Sequence, residues 1–368
     1  MREQPPASTP HRSSRVAASA EEPGTRHRLR GVVQVGGCVV LSAVSAELLA
    51  AYADNTGKLG PIVFAVVFFA ALYGAPALLV REITRRAGWG WDSMLLLMLS
   101  LSIVQACLID QSVFSEDYQN YDGWTENYQA TLIPAVGVSV YNAFSFILGH
   151  VIYSFGAPIA LAEAWRPHKA QAPWLKAPGL IVAAVAYLVA AGLIISDPES
   201  QNASVPQLLG ASIPVIACVV GAYALGKRRQ RKVSHAADEG ASAPAVGTVF
   251  AVMLALACLL NLAGEDWRGV AVAVAVTTAG GALIVAGARR RGWGLRHLSA
   301  VALAFLVSRG VLAFTYEPLT GTVAAWSKYA HNAAMLAMVL VAGWCALTPR
   351  TVLSADPPPR DFLHCPRR

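Results

Sequence analysis

The sequence predicts an all-α polytopic integral membrane protein, a bundle of about ten transmembrane helices. Three observations carry this reading. Of the 368 residues, 55% are hydrophobic and only 14% charged, where a soluble domain carries about 25% charged residues. About ten apolar runs approach the roughly 20 residues needed to cross a hydrocarbon core of about 30 Å. Finally, 25 of the 29 Lys and Arg fall in every second inter-run segment, as the positive-inside rule requires when both termini are cytoplasmic.

That distribution also disposes of the net charge of +7 as a nucleic-acid signal. The positive charge is divided among short loops, with no interleaved aromatic platform on which bases could stack. Cys38, Cys107, Cys218, Cys258, Cys345 and Cys365 form no CxxC pair, and most lie inside apolar runs. They are read as small hydrophobes, so neither a disulfide framework nor a metal site is expected. No cofactor-binding motif is present.

Residues 1–30, rich in Pro, Ser, Ala and Arg, are read as a disordered cytoplasmic tail. The first helix is placed at 31–53 and carries Glu47. Its Ala51-Tyr52-Ala53 end has the small-x-small form of a signal-peptidase site, but the long basic region before it argues for retention. The second helix, 60–80, holds a kink at Gly74-Ala75-Pro76 and ends in Arg81, Glu82, Arg85 and Arg86. Glu82 is spaced to pair with Arg85 and Arg86. The third, 93–112, follows Gly88-Trp89-Gly90 and ends at Asp110-Gln111. Residues 113–133 are acidic and aromatic and lack Lys and Arg. They form the longest loop on the predicted outer face, one able to fold over its mouth.

The fourth helix, 135–162, carries Asn142, His150 and Tyr153 before a break at Gly156-Ala157-Pro158. Helices at 178–196 and 206–226 are nearly featureless. A strongly basic loop, Lys227 to Lys232, follows them. The last four helices are placed at 246–263, 269–288, 296–315 and 325–347, before a polar, proline-rich tail at 349–368. The Ala- and Arg-rich composition has a bacterial look. An inner, plasma-membrane location follows, and the Asn202-Ala203-Ser204 sequon carries no weight.

An internal echo organises the chain. Arg85-Arg86-Ala87-Gly88-Trp89-Gly90 is matched by Arg289-Arg290-Arg291-Gly292-Trp293-Gly294, each before an apolar run. At the same spacing Gln105 matches Arg309, and Tyr141-Asn142-Ala143 is echoed by His331-Asn332-Ala333. Residues 31–163 then form a first four-helix unit and 246–348 a second. Residues 164–245, two helices and a basic loop, connect them. An even number of helices separates the two starts, so the copies run in parallel about an axis along the membrane normal. The alternative is that RRxGWG is only an interface anchor, repeated by chance.

Polar side chains inside a membrane are costly, a charge at the helix centre by about 2.5–3.5 kcal/mol, so they mark candidate sites. Glu47, Asp110, Gln111, Asn142, Arg309, His331 and Asn332 all fall in the predicted outer third, with His150 deeper. One reading has them converge between the two units, Glu47 and Asp110 acting as acids and Arg309 and His331 as counter-charges. In the other, each snorkels to water or ties neighbouring helices together. No HExxH, GxSxG, P-loop or Rossmann motif is present. Three functions remain open: a transporter or permease-like protein for a small solute, an enzyme acting on a lipid or lipid-linked substrate at the outer leaflet, and a non-catalytic partner or sensor. Beyond the lipid bilayer, a small solute or a lipid is the expected partner, and protein partners are not identified.

Overall fold

The structure, a computed structural model, describes residues 23–53, 55–119, 121–231 and 241–348. Among these residues, nine helices are long and apolar enough to cross a membrane: α1 Arg30–Leu48, α2 Leu59–Arg86, α3 Trp91–Ile109, α4 Val140–Trp165, α5 Ala177–Ser196, α6 Val205–Gln230, α8 Trp267–Ala288, α9 Leu295–Leu312 and α10 Ala325–Leu347. The remaining apolar helix, α7 Val246–Asn261, is shorter. At about 1.5 Å per residue it covers roughly 24 Å. The all-α membrane bundle is thus what the chain forms.

Boundaries moved where local chemistry outweighed the apolar pattern. The helix leading into α1 begins at Pro23, so residues 23–30 are helical rather than part of a disordered tail. Proline is pre-set for a first turn, and extending a formed helix needs no new nucleus. The rest of that tail, residues 232–240 of the basic loop, and the tail from 349 lie outside the described residues. α4 starts at Val140 and not at 135, because Leu132–Ile133 pairs with Val138–Ser139 in a two-stranded hairpin turned at Gly137. The Ser139 side chain then caps the helix by accepting the Asn142 N–H.

α1, α4 and α9 form the centre. α1 packs on α2 and α4, and α9 packs on α4, α7 and α10. One apolar core joins Leu41, Leu48, Leu161, Leu303, Leu306 and Val339. A second joins Leu72, Leu78, Met94, Met98, Phe155 and Ile159. The two connecting helices contribute little to these cores, α5 mainly through Ala190 and Ala191 in the second: only 17% of the α5 window and 6% of the α6 window are buried, against half or more for α1, α3, α4 and α9. Lipid is as apolar as leucine, so a helix with no polar or small-residue reason to enter the bundle is left facing it.

The RRxGWG echo is a real structural device. Gly88 and Gly292 both take positive φ, 66° and 85°, which glycine adopts without strain. Gly90 and Gly294 follow in extended backbone, and α3 and α9 start there. Each tryptophan lies flat on a glycine of a neighbouring helix, Trp89 on Gly226 of α6 and Trp293 on Gly287 of α8, where a Cβ would collide with the ring. The helices around the two turns are arranged differently. α7 packs chiefly on α9, whereas α1 packs on α2 and α4.

Both Gly-Ala-Pro sequences do what their chemistry requires. Proline has no N–H, and its ring clashes with the carbonyl four residues before it. For Pro76 and Pro158 those carbonyls belong to Leu72 and Ser154. Each lies in a π-helical turn, Ala70–Gly74 in α2 and His150–Gly156 in α4. The wider turn shifts the hydrogen-bond ladder and lets the helix continue through the proline. α1 and α3 also end in π turns, Val44–Leu48 and Val104–Ile109, but no proline accounts for those two.

Candidate functional site

Four π turns, one in each of the first four membrane helices, border a single cavity of about 1340 Å³. α1 contributes Glu47, α2 Leu72 and Tyr73, α3 Gln105, and α4 His150, Tyr153 and Ser154. α9 adds Arg309, and Asp110 stands just past the end of α3. π turns displace side chains from the regular helical register and are frequent at functional sites.

The 113–133 segment covers one side of this cavity. Tyr118, Tyr121 and Trp124 line it and pack on one another, with ring centroids 5.0 to 6.3 Å apart. Tyr52 meets Tyr121 edge-on, and Trp124 rests on Phe146 of α4. The loop is pinned by the Trp124 indole N–H, which donates to the Ser115 carbonyl, and by the Tyr128 hydroxyl, which donates to that of Gly137. Phe64 and Phe68 of α2 form another wall. Phe64 is 70% exposed, so that wall borders the lipid-facing surface.

Glu47 accepts hydrogen bonds from the Tyr52 and Tyr73 hydroxyls, the second at 2.9 Å. Asp110 accepts the Ser112 N–H at 3.0 Å and the Ser112 hydroxyl at 2.8 Å. Burial nevertheless pushes the Asp110 carboxyl up to about 6, against the pull of those bonds. Burial and the neighbouring Glu47 charge hold the Tyr52 phenol well above its ordinary range. Among the described residues neither carboxylate makes an ion pair. Arg309, expected as their counter-charge, instead donates to the Ala46 carbonyl at 3.0 Å and lies 4.3 Å from the centre of the Tyr153 ring. A face-on phenol and a carbonyl engage a guanidinium in place of a carboxylate.

Of the eight polar residues singled out from the sequence, the structure brings Glu47, Asp110, Asn142, His150 and Arg309 to the cavity. The other three are ties. Gln111 accepts the Ala203 N–H at 2.7 Å. Asn332 donates to the Ala313 carbonyl at 2.9 Å. His331 is not the expected counter-charge. Its Nδ1 accepts the Gly57 N–H at 3.3 Å, so Nε2 carries the proton and donates to the Leu48 carbonyl at 2.8 Å. A neutral imidazole makes both bonds.

The cavity is under-satisfied in its polar groups. His150 Nδ1 meets the Ser154 hydroxyl at 2.9 Å, but its Nε2 has no partner. Nor do Asn142 Nδ2 and Arg309 Nε. His150 is 8% and Asn142 3% exposed. An unpaired polar group so buried costs about 1–3 kcal/mol, and such groups are rare enough in folded proteins that each calls for a cause. Sequence reasoning placed Gln105 and Tyr153 in helices without assigning them to the site, and missed Tyr52, Tyr73 and Trp124. The dense aromatics of the acidic loop were the available signal for Trp124. Nothing local marks Tyr73 as a partner of Glu47.

Buried charge at the opposite, arginine-rich end is arranged differently. Glu82 does not pair with Arg85 as its spacing suggested. It binds Arg81 at 2.8 Å and Arg86 at 3.3 Å, and accepts the N–H groups of Trp174 and Leu175. Arg85 reaches Glu163 of α4 with both its Nε and an Nη, at 2.8 and 2.7 Å. Arg81 also bonds Glu163, donates to the Ala170 and Ala172 carbonyls, and lies 3.5 Å from the Trp174 ring centre. α2, α4 and the loop that follows α4 are locked together there.

Helices of this length, apolarity and packing define a multi-pass membrane protein. Compared with protein-family models, curated proteins and solved structures, the chain finds no match.

Proposed function

We propose that the chain is a permease-like membrane protein whose cavity binds a small polar solute from the outer face. One observation carries the reading. Among the described residues the cavity gathers two carboxylates without cationic partners, and Gln105, Asn142, His150 and Arg309 each bring to it a side-chain nitrogen without a partner. A polar solute would satisfy them, and membrane-buried polar groups mark substrate paths more often than they serve packing. The distribution of Lys and Arg supports placing the cavity on the outer side. The π turns support a mobile wall, because wide turns are points where a helix can change register.

The test is uptake by purified protein in lipid vesicles, offered labelled choline, glycine, lactate and glucose in turn. Saturable uptake of one of them, reduced at least about ten-fold in both Asp110→Asn and Arg309→Gln, is the expected result. Uptake no greater than in protein-free vesicles for all four, or uptake unchanged in both variants, overturns the reading.

A further inference from the structure

We propose that the cavity takes an organic cation, an amine or quaternary ammonium group, seated between the Glu47 and Asp110 carboxylates and the aromatic rings above them. This rests on the solute-binding reading and names its substrate class.

Charge is the first argument. The charged side chains lining the cavity are Glu47, Asp110, Asp122 and Glu265 against Lys58 and Arg309. Lys58 is exposed at the rim, and Arg309 is already engaged by the Ala46 carbonyl and the Tyr153 ring. The two deep carboxylates therefore face the cavity without a cation among the described residues. At the arginine-rich end of the bundle, Glu82 of α2 and Glu163 of α4 each hold an arginine. The chain is thus able to neutralise buried carboxylates, and at the half-buried Glu47 and the buried Asp110 it does not. A buried charge with no partner is strongly destabilising, and a mobile cation is the missing counter-charge.

The second argument is the lining. Tyr52, Tyr118, Tyr121 and Trp124 are packed within one cluster on the cavity wall. Aromatic faces attract an alkylated ammonium within about 6 Å and are the standard means of holding quaternary nitrogen. Sugars would require many convergent hydrogen bonds, and anions would require free arginines. The unpartnered Asn142 Nδ2 donor and the unpartnered His150 Nε2 provide for a polar tail on the same molecule, such as a hydroxyl, which both donates and accepts.

The experiment is calorimetric titration of the purified full chain with choline and with its uncharged isostere 3,3-dimethylbutan-1-ol, propionate and glucose serving as the other classes. Glu47→Gln keeps an acceptor for one phenol and an N–H donor for the other, and Trp124→Leu keeps the loop's apolar contact. Melting curves of both variants confirm that they are folded. Choline should bind at least about ten-fold more tightly than its isostere, because a desolvated cation–π contact is worth about 2 kcal/mol or more. Glu47→Gln should remove most of that advantage, and Trp124→Leu should weaken choline several-fold. Binding of propionate or glucose but not choline overturns the organic-cation assignment and leaves solute binding standing. Choline binding that is indifferent to both substitutions also overturns the assignment. If none of the four binds, the solute-binding reading falls with it.

Discussion

At the arginine end of the bundle, Glu82 and Glu163 are 0% exposed and each meets guanidinium groups. At the acidic end, Glu47 and Asp110 meet phenols and a serine, and no cation among the described residues. The four acids belong to the first four membrane helices, Glu82 to α2 and Glu163 to α4 at one end, Glu47 to α1 and Asp110 to the end of α3 at the other. The contrast teaches that burial alone does not decide what a charge is for. A carboxylate held by two arginines, one of them bidentate, leaves no capacity for a ligand and makes a good joint. A carboxylate held only by neutral donors keeps its charge available.

The largest effect should come from breaking the joint. Removing one partner of a buried ion pair costs about 3–5 kcal/mol, because the other charge is stranded. Glu163→Ala should therefore abolish the sharp melting transition of the detergent-solubilised protein or lower it by many degrees. A transition within a degree or two of the parent would show that the arginine end is not a joint.

Next comes the pH response of the cavity. The Asp110 carboxyl is raised from 3.8 to about 6 in the folded chain. Between those values the folded state holds a proton that the unfolded state has released. Stability therefore falls as pH rises from about 4 to 6, then levels off, by an amount on the order of 2–3 kcal/mol. Asp110→Asn should flatten that part of a melting-temperature profile while still accepting the Ser112 bonds. An identical slope in the variant would move the titration elsewhere.

Glu47→Gln should change stability little, by under about 1 kcal/mol, because the amide oxygen still accepts one phenol and the amide N–H can donate to the oxygen of the other. A fall as large as that of Glu163→Ala would mean Glu47 is a structural acid after all, and the contrast between the two ends would collapse. The smallest effect belongs to Arg86→Ala. That side chain is 42% exposed and forms an i,i+4 pair with Glu82, an arrangement worth about 0.3–0.5 kcal/mol on a helix surface. A loss of several kcal/mol would extend the arginine joint out to the surface.

Much of this architecture is legible in the order of residues. Helix positions follow from apolar runs, because a spanning backbone must satisfy its hydrogen bonds within itself. The two Gly-Ala-Pro sites follow from the geometry of proline, though each helix continues through its site by a π turn and is not broken, and the two Gly-Trp-Gly turns follow from the freedom of glycine at positive φ. Five of the eight polar positions reach the cavity because a polar group at membrane depth avoids lipid wherever it can.

Tertiary structure alone decided the partners. Local spacing offered Arg85 to Glu82, yet Glu163, 78 residues away, took it. Depth alone offered His331 and Arg309 to the acids, yet backbone carbonyls took both. Tyr73 found Glu47 only because Gly74 lets α2 approach the backbone of α1 at Val39. Periodicity and hydropathy are properties of one segment and survive in the sequence. Which donor reaches which acceptor depends on how separate helices pack, and at membrane depth every polar group takes the best partner that packing brings within reach.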